Sequence, residues 1–208
     1  MNSICAALFD FGGVIAEEGF RGGLTAIAES RGLDPGPFFR TAEGLVYETG
    51  YVTGRVDEVV YWDAIRKKTG ITGSDEALRE EILKRFVLRD AMLSIVDGMR
   101  ENGIRVGILS DQTNWLDEVD GRTPFYHRFH CVLNSFRMGK SKRDPSLFAD
   151  VVARLQCKPG EVLFIDDNEK NTERAKSQGL VVIHFTTVQQ FLQDVGGMLP
   201  SLAVSGRT

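Results

Sequence analysis

The chain has 208 residues, enough for about one and a half average domains and for a sizeable buried core. With 42% hydrophobic and 26% charged residues, wholesale disorder is excluded. Its 25 Lys and Arg against 29 Asp and Glu leave a net charge of −4, which speaks against nucleic acid or an anionic membrane as partner, since both need a cationic face.

The opening residues, MNSICAALFD, have no cationic stretch and meet Asp10 too soon for a secretory signal. No apolar run approaches a membrane span in length. Cys5, Cys131 and Cys157 are odd in number, widely spaced and free of CxxC patterns. They read as reduced, mostly buried thiols of a cytoplasmic protein.

Five short apolar runs punctuate the chain: Ile4 to Phe9, Ile104 to Leu109, Cys131 to Leu133, Glu161 to Ile165 and Leu180 to Phe185. Runs that are apolar on both faces suit strands of a parallel sheet covered by helices on each side. Between the first two lies a long stretch without a convincing strand. Helices are expected there near Gly22 to Ser30, Pro37 to Tyr47, Asp57 to Thr69 and Ser74 to Leu88. Ser74 followed by Asp75 and Glu76 makes a favourable helix start. Tyr61, Trp62 and Phe86 fit helix core positions of this region.

Beyond it, Leu93, Ile95, Val96 and Met99 form a helical stripe ending at Gly103, placed as a C-cap. Pro145 opens a further helix through Leu155, and Glu169 to Gln178 is a polar helix closed by Gly179. Thr187 and Gln190 signal a last helix start, with Ser205 to Thr208 a frayed tail. The alternation implies an α/β fold, a doubly wound parallel sheet with an inserted α-helical cap. The expected division is 1–15 with 91–208 as the core and 16–90 as the cap.

In such sheets ligands bind at the carboxyl ends of strands, where the strand order reverses. The strand ends here are FDFGGV with Asp10, ILSD with Ser110 and Asp111, and FIDDN with Asp166 and Asp167. A loop, GKSKRDP, adds Lys140 and Lys142 ahead of the Pro145 helix. Three carboxylates held close would resist ionising together, and a hard divalent cation such as Mg2+ removes that cost. A carboxylate can also attack phosphorus. Each residue has a plainer reading beside this one. Asp10 could be a turn residue, Ser110 or Asp111 a helix cap, and either lysine a solvated charge. Asp111 could also contact substrate.

In order and position these four segments resemble the four motifs of the haloacid dehalogenase (HAD) superfamily, and the resemblance spans essentially the whole chain. It implies a Rossmann-like core with a helical cap and Mg2+-dependent hydrolysis of a small phosphorylated metabolite. By this resemblance Asp10 is the nucleophile, and Ser110 and Lys142 hold phosphate. Asp10, the Gly12 carbonyl and Asp167 bind Mg2+, with Asp166 as companion. Two positions depart from the pattern. Gly12 stands where most phosphatases of the superfamily carry a second Asp as general acid/base, a substitution shared with a subgroup resembling glucose-1-phosphate phosphatases. Arg143 stands where Pro is usual.

Glu17 and Glu18 could supply the missing acid, or be ordinary surface charges. His127 and His130, three apart, lack a third ligand and make a poor zinc site. A metal-independent haloacid dehalogenase is the alternative activity, disfavoured by Asp166-Asp167 and Gly12-Gly13. A catalytically impaired binding protein of the same fold is a further alternative. A monomer or homodimer is expected.

Overall fold

The computed structural model describes residues 4–198, so the expected tail at Ser205 to Thr208 lies outside the described residues. All five apolar runs form strands: β1 (Ala6–Phe9), β2 (Arg105–Ser110), β3 (Cys131–Asn134), β4 (Val162–Asp166) and β5 (Val181–His184). They pair in parallel in the order β3-β2-β1-β4-β5. The pleat explains why the strand interiors are apolar at consecutive positions, since both faces are covered. Ala7 and Phe9 of β1 face one helical layer, while Ala6 and Leu8 face the other.

The first layer holds α5 (Asp90–Glu101), through Met92, Val96 and Met99, and α10 (Val188–Met198), through Phe191 and Val195. The second holds α8 (Ser146–Leu155), through Leu147, Phe148 and Val151, and α9 (Glu169–Ser177), through Ala175. This is the doubly wound arrangement expected from the sequence. Gly103 follows α5 at φ +76°, and Gly179 follows α9 at φ +86°, the left-handed turns that end each helix.

Between β1 and α5 run α1 (Gly19–Glu29), α2 (Pro35–Glu48), α3 (Glu58–Thr69) and α4 (Asp75–Leu83). Gly23 lets α1 approach α4 closely, since a β-carbon there would fall 2.5 Å from the Ile82 Cα. The expected helix from Ser74 to Leu88 is shorter than its pattern. The chain leaves helical geometry after Leu83 because its continuation bonds to the segment leaving the first strand. Glu17 N–H donates to Val87 O at 2.8 Å, and Arg89 N–H donates to Ile15 O at 2.9 Å. Ala16 and Leu88 thereby form an isolated antiparallel bridge, so the chain enters and leaves the helical insertion side by side.

Tyr61 and Trp62 are buried as expected. Phe86 lies in the return segment instead of a helix and packs on Phe11, ring centroids 5.4 Å apart. A helix not expected from the pattern, α6 (Trp115–Arg122), carries Trp115 into the insertion, where it stacks on Trp62 at 5.9 Å. The short α7 (Ser135–Met138) follows β3. The reading of three reduced cysteines is corrected. Cys5 and Cys157 form a disulfide across a sequence separation of 152, and Cys131 is the free cysteine among the described residues. Only the sheet brings the start of β1 beside the α8–β4 connection.

Candidate active site

β1 lies between β2 and β4 in register, with Phe9 opposite both Ile108 and Ile165. Asp10 continues β1 by donating its N–H to Ile165 O at 2.8 Å. Ser110 is the last residue of β2 and Asp166 the last of β4. The strand order reverses between β1 and β4, so these three side chains meet at the crevice where such sheets take ligands.

Asp10 is held on both oxygens. Its Oδ1 accepts the Ser110 hydroxyl at 2.6 Å and the Phe11 N–H at 2.7 Å. Its Oδ2 is 2.8 Å from Lys142 Nζ, which donates to Asp166 Oδ2 at 2.6 Å. Lys142 is 1% exposed and Asp166 0%. Asp166 Oδ1 also accepts the Asn168 N–H at 2.8 Å, and Asn171 Nδ2 reaches it at 3.2 Å. Lys140 is not brought to the site: it is half-buried and paired with Asp150 and Ser146.

Asp111 caps no helix. Its Oδ1 accepts the Lys142 N–H at 2.8 Å, and its Oδ2 accepts the Tyr47 hydroxyl at 3.0 Å, tying the insertion to the core loop. Arg143, in the position where the motif usually has Pro, lies over the Tyr47 ring at 3.3 Å and continues that tie.

Charge is unevenly balanced here. One ammonium, Lys142, faces the carboxylates of Asp10, Asp111 and Asp166, with Asp167 nearby. Burial alone would lower Lys142, but Asp10, Asp166 and Asp111 outweigh it and hold the ammonium well above its usual range. Asp166 is pushed above the usual carboxylate range, chiefly by burial and also by Asp10, against the opposing pull of Lys142. Burial and Asp10 likewise raise Asp167.

Asp167, exposed toward the crevice, stacks its carboxyl group over Gly13. Ligand oxygens of Asp10, Asp166 and Asp167 come within 4.8 Å of one another. An all-oxygen set with surplus negative charge fits a hard divalent cation such as Mg2+.

Gly13 explains the approach of Asp167. Its φ is +84°, and a β-carbon there would lie 2.1 Å from Asp167 Oδ2. Gly13→Ala is expected to cost about 1–3 kcal/mol in backbone strain alone and to displace Asp167. Thermal unfolding should show the loss, and a midpoint equal to wild type would contradict the assignment.

The crevice opens into a cavity of about 680 Å3 between the sheet edge and the insertion. Asp10, Gly12, Ser110, Lys142 and Asp167 line its floor, while Phe20, Phe39, Tyr47 and Trp115 form apolar walls with Arg21 and Glu43 among them. Glu18 also lines it, whereas Glu17 is paired with Arg89 at 2.9 Å. Glu18 Oε2 accepts the Arg21 N–H at 2.6 Å, capping α1. The side chain is open to the cavity yet closely surrounded. Burial is the main cause that raises its carboxyl to about 7, with Asp167 and Asp10 adding to the rise and Arg21 opposing it.

His127 and His130 are exposed and outside this cavity, and His130 Nδ1 accepts the Val106 N–H at 3.1 Å. Tyr47, Gln112 and Asn171 escaped the sequence reading. Only Asn171, in the first turn after FIDDN, carried a positional signal.

A family model described as haloacid dehalogenase-like hydrolase matches residues 4–179. The chain belongs to that family. Among curated relatives, mouse bifunctional epoxide hydrolase 2 is 24% identical over 204 residues, covering 85% of this chain and 35% of its own length. The rat enzyme is 29% identical over 99 residues, 44% of this chain and 18% of its own length. The chain thus spans about a third of the mouse relative at most.

A HAD-like hydrolase of Porphyromonas gingivalis shares the fold at TM-score 0.74 and 22% identity, over 95% of this chain and 98% of that one. A HAD family enzyme of Bacteroides thetaiotaomicron, solved with magnesium, aligns at TM-score 0.72 and 21% identity, over 89% and 94%. The same enzyme has been solved with magnesium and inorganic phosphate together. No helix among the described residues of this HAD-like hydrolase is long and apolar enough to cross a membrane.

Proposed function

We propose that this HAD-like hydrolase is a Mg2+-dependent phosphatase that cleaves a small phosphorylated metabolite, such as a sugar phosphate, through an aspartyl-phosphate on Asp10. One observation carries the reading: Asp10 is clamped between Ser110 and Lys142 at the strand-order reversal, with Asp167 open to the same cavity. The magnesium and phosphate complex of the Bacteroides enzyme agrees with it.

In this reading Asp10, the Gly12 carbonyl and Asp167 hold Mg2+, and Asp166 supports them through Lys142 and Asn171. The cation supplies neutralisation of the phosphoryl charge. Asp10 attacks phosphorus as the bond to the leaving oxygen breaks. Ser110 and Lys142 donate to the phosphoryl oxygens and are fixed in place before the substrate arrives. Water then cleaves the acyl-phosphate and restores the Asp10 carboxylate.

Residues 16–90 serve as the cap over a core of 1–15 and 91–208, and the cap's walls set specificity. The Gly12 pattern makes an anomeric sugar phosphate the first compound to test, because its leaving group departs more easily than an ordinary alkoxide. The proposed compartment is cytoplasmic, where such metabolites occur. The Cys5–Cys157 pair pulls against that placement, since disulfides are rare in reducing compartments.

A panel of phosphorylated metabolites assayed for phosphate release tests the proposal. EDTA is expected to abolish turnover and added Mg2+ to restore it. Turnover of a haloacid that survives EDTA would establish the dehalogenase instead. Phosphate binding without hydrolysis of any compound would establish a binding protein.

A further inference from the structure

We propose that Glu18 is the general acid and base of this reaction, filling in space the role that Gly12 leaves vacant in sequence. The inference rests on the phosphatase reading above. A β-carbon built on Gly12 would lie 3.7 Å from Glu18 Oε1, 3.7 Å from Gln112 Nε2 and 3.4 Å from the Phe86 ring. The volume that a side chain at position 12 would enter is therefore bounded by a carboxylate, an amide and a ring. Glu18 is the one acid among them. A neutral amide and a phenyl ring do not exchange protons in the ordinary range.

The position is anchored by local structure. Glu18 caps α1 through Oε2, and that bond leaves Oε1 facing Gly12 and the cavity floor. Three charged groups face it: Arg21 from α1, Asp10 from the end of β1 and Asp167 from the end of β4. Two of them are carboxylates of the cavity floor, so Glu18 lies beside the groups that would meet the phosphate. Glu17, the adjacent acid, is withdrawn by its pairing with Arg89.

The proton balance closes over two steps. First, a bond forms from an Asp10 oxygen to phosphorus, the bond from phosphorus to the leaving oxygen breaks, and the Glu18 proton passes to that oxygen. Second, the Glu18 carboxylate takes a proton from water as the water oxygen bonds to phosphorus. The phosphorus bond to Asp10 breaks, inorganic phosphate leaves, and Glu18 is protonated again. No other reactant is needed.

Glu18→Gln separates this role from the cap, because the amide oxygen still accepts the Arg21 N–H. With an alkyl phosphate such as glycerol phosphate, kcat is expected to fall about 10^2- to 10^4-fold with little change in KM. 4-Nitrophenyl phosphate has a leaving group that departs unprotonated. With that substrate the variant is expected to release nitrophenol in a burst before slow turnover, since only the second step lacks its base. The thermal midpoint should match wild type.

Gly12→Asp added to Glu18→Gln is expected to recover at least about tenfold of the lost rate, the double variant restoring acid/base catalysis from position 12. Position 12 has no positive φ, and its β-carbon contacts begin at an ordinary 3.4 Å, so a side chain there meets no backbone strain and no clash at its first atom. Equal rate loss on both substrates with no burst would overturn the proposal, as would turnover close to wild type on the alkyl phosphate. Wild-type protein that hydrolyses these two compounds and every member of the metabolite panel at no detectable rate would overturn the phosphatase reading together with this one.

Discussion

Asp10→Asn is expected to lower phosphate release by at least about 10^4-fold on every substrate, because it removes the nucleophile and not merely a binding contact. The side chain is nearly isosteric, and its carbonyl oxygen can keep the Ser110 hydroxyl and the Phe11 N–H. What changes is the other side, where an amide NH2 would face the Lys142 ammonium in place of a carboxylate oxygen now 2.8 Å away. Some stability is therefore lost with the charge-assisted contact, about 1.5–3 kcal/mol. The folded protein should still give a cooperative unfolding transition. Covalent phosphate found on the wild-type chain after rapid acid quench, and absent from the variant, would identify the intermediate. A variant that keeps a tenth of wild-type turnover would remove Asp10 from the mechanism.

The second large effect is on stability. Lys142→Met is expected to destabilise the fold by about 3–5 kcal/mol, since it leaves Asp10 and Asp166 facing each other without a cation. Both Lys142 and Asp166 are almost wholly withdrawn from solvent, so water cannot take the place of the lost partner. At roughly 2–4 °C per kcal/mol for a chain of this size, the unfolding midpoint should fall by about 6–20 °C. Mg2+ should recover part of that loss in the variant, because a divalent cation beside Asp10 and Asp167 relieves the same repulsion. Adding Asp166→Asn should also recover part of it, since the buried negative charge is then smaller. Scanning calorimetry with and without Mg2+ checks both. A midpoint within measurement error of wild type would mean the buried pair contributes nothing net.

The sheet was legible in the sequence because parallel strands buried on both faces show as continuous apolar runs, and all five runs are strands. The floor of the site was legible for a related reason. Asp10, Ser110 and Asp166-Asp167 each follow such a run directly, and in-register parallel pairing brings consecutive carboxyl ends together. Lys142 and Lys140 lie two residues apart in the same loop, and the local pattern does not separate them. Burial between two carboxylates separates them, and no local pattern encodes burial.

The helical insertion shows where the local signal stops. The pattern from Ser74 to Leu88 favours a helix throughout, but backbone hydrogen bonds that Val87 accepts from Glu17 and Arg89 donates to Ile15 override it beyond Leu83. Glu18 has the same origin. As a residue in sequence it is an acidic helix cap like many others. Phe86 from the return segment and the bare Gly12 backbone turn its carboxyl into a wall of the cavity.

What the sequence by itself determined is the small acid surplus, the double-buried strands and the carboxylates at their ends, for these follow from residue type and short-range periodicity. What only the tertiary structure decided is where the excess charge gathers, which of two lysines answers it, that Cys5 meets Cys157, and that Glu18 faces Gly12. Those are contacts between segments far apart in the chain. Their energies depend on burial and distance, and neither exists until the sheet and the insertion have closed on each other.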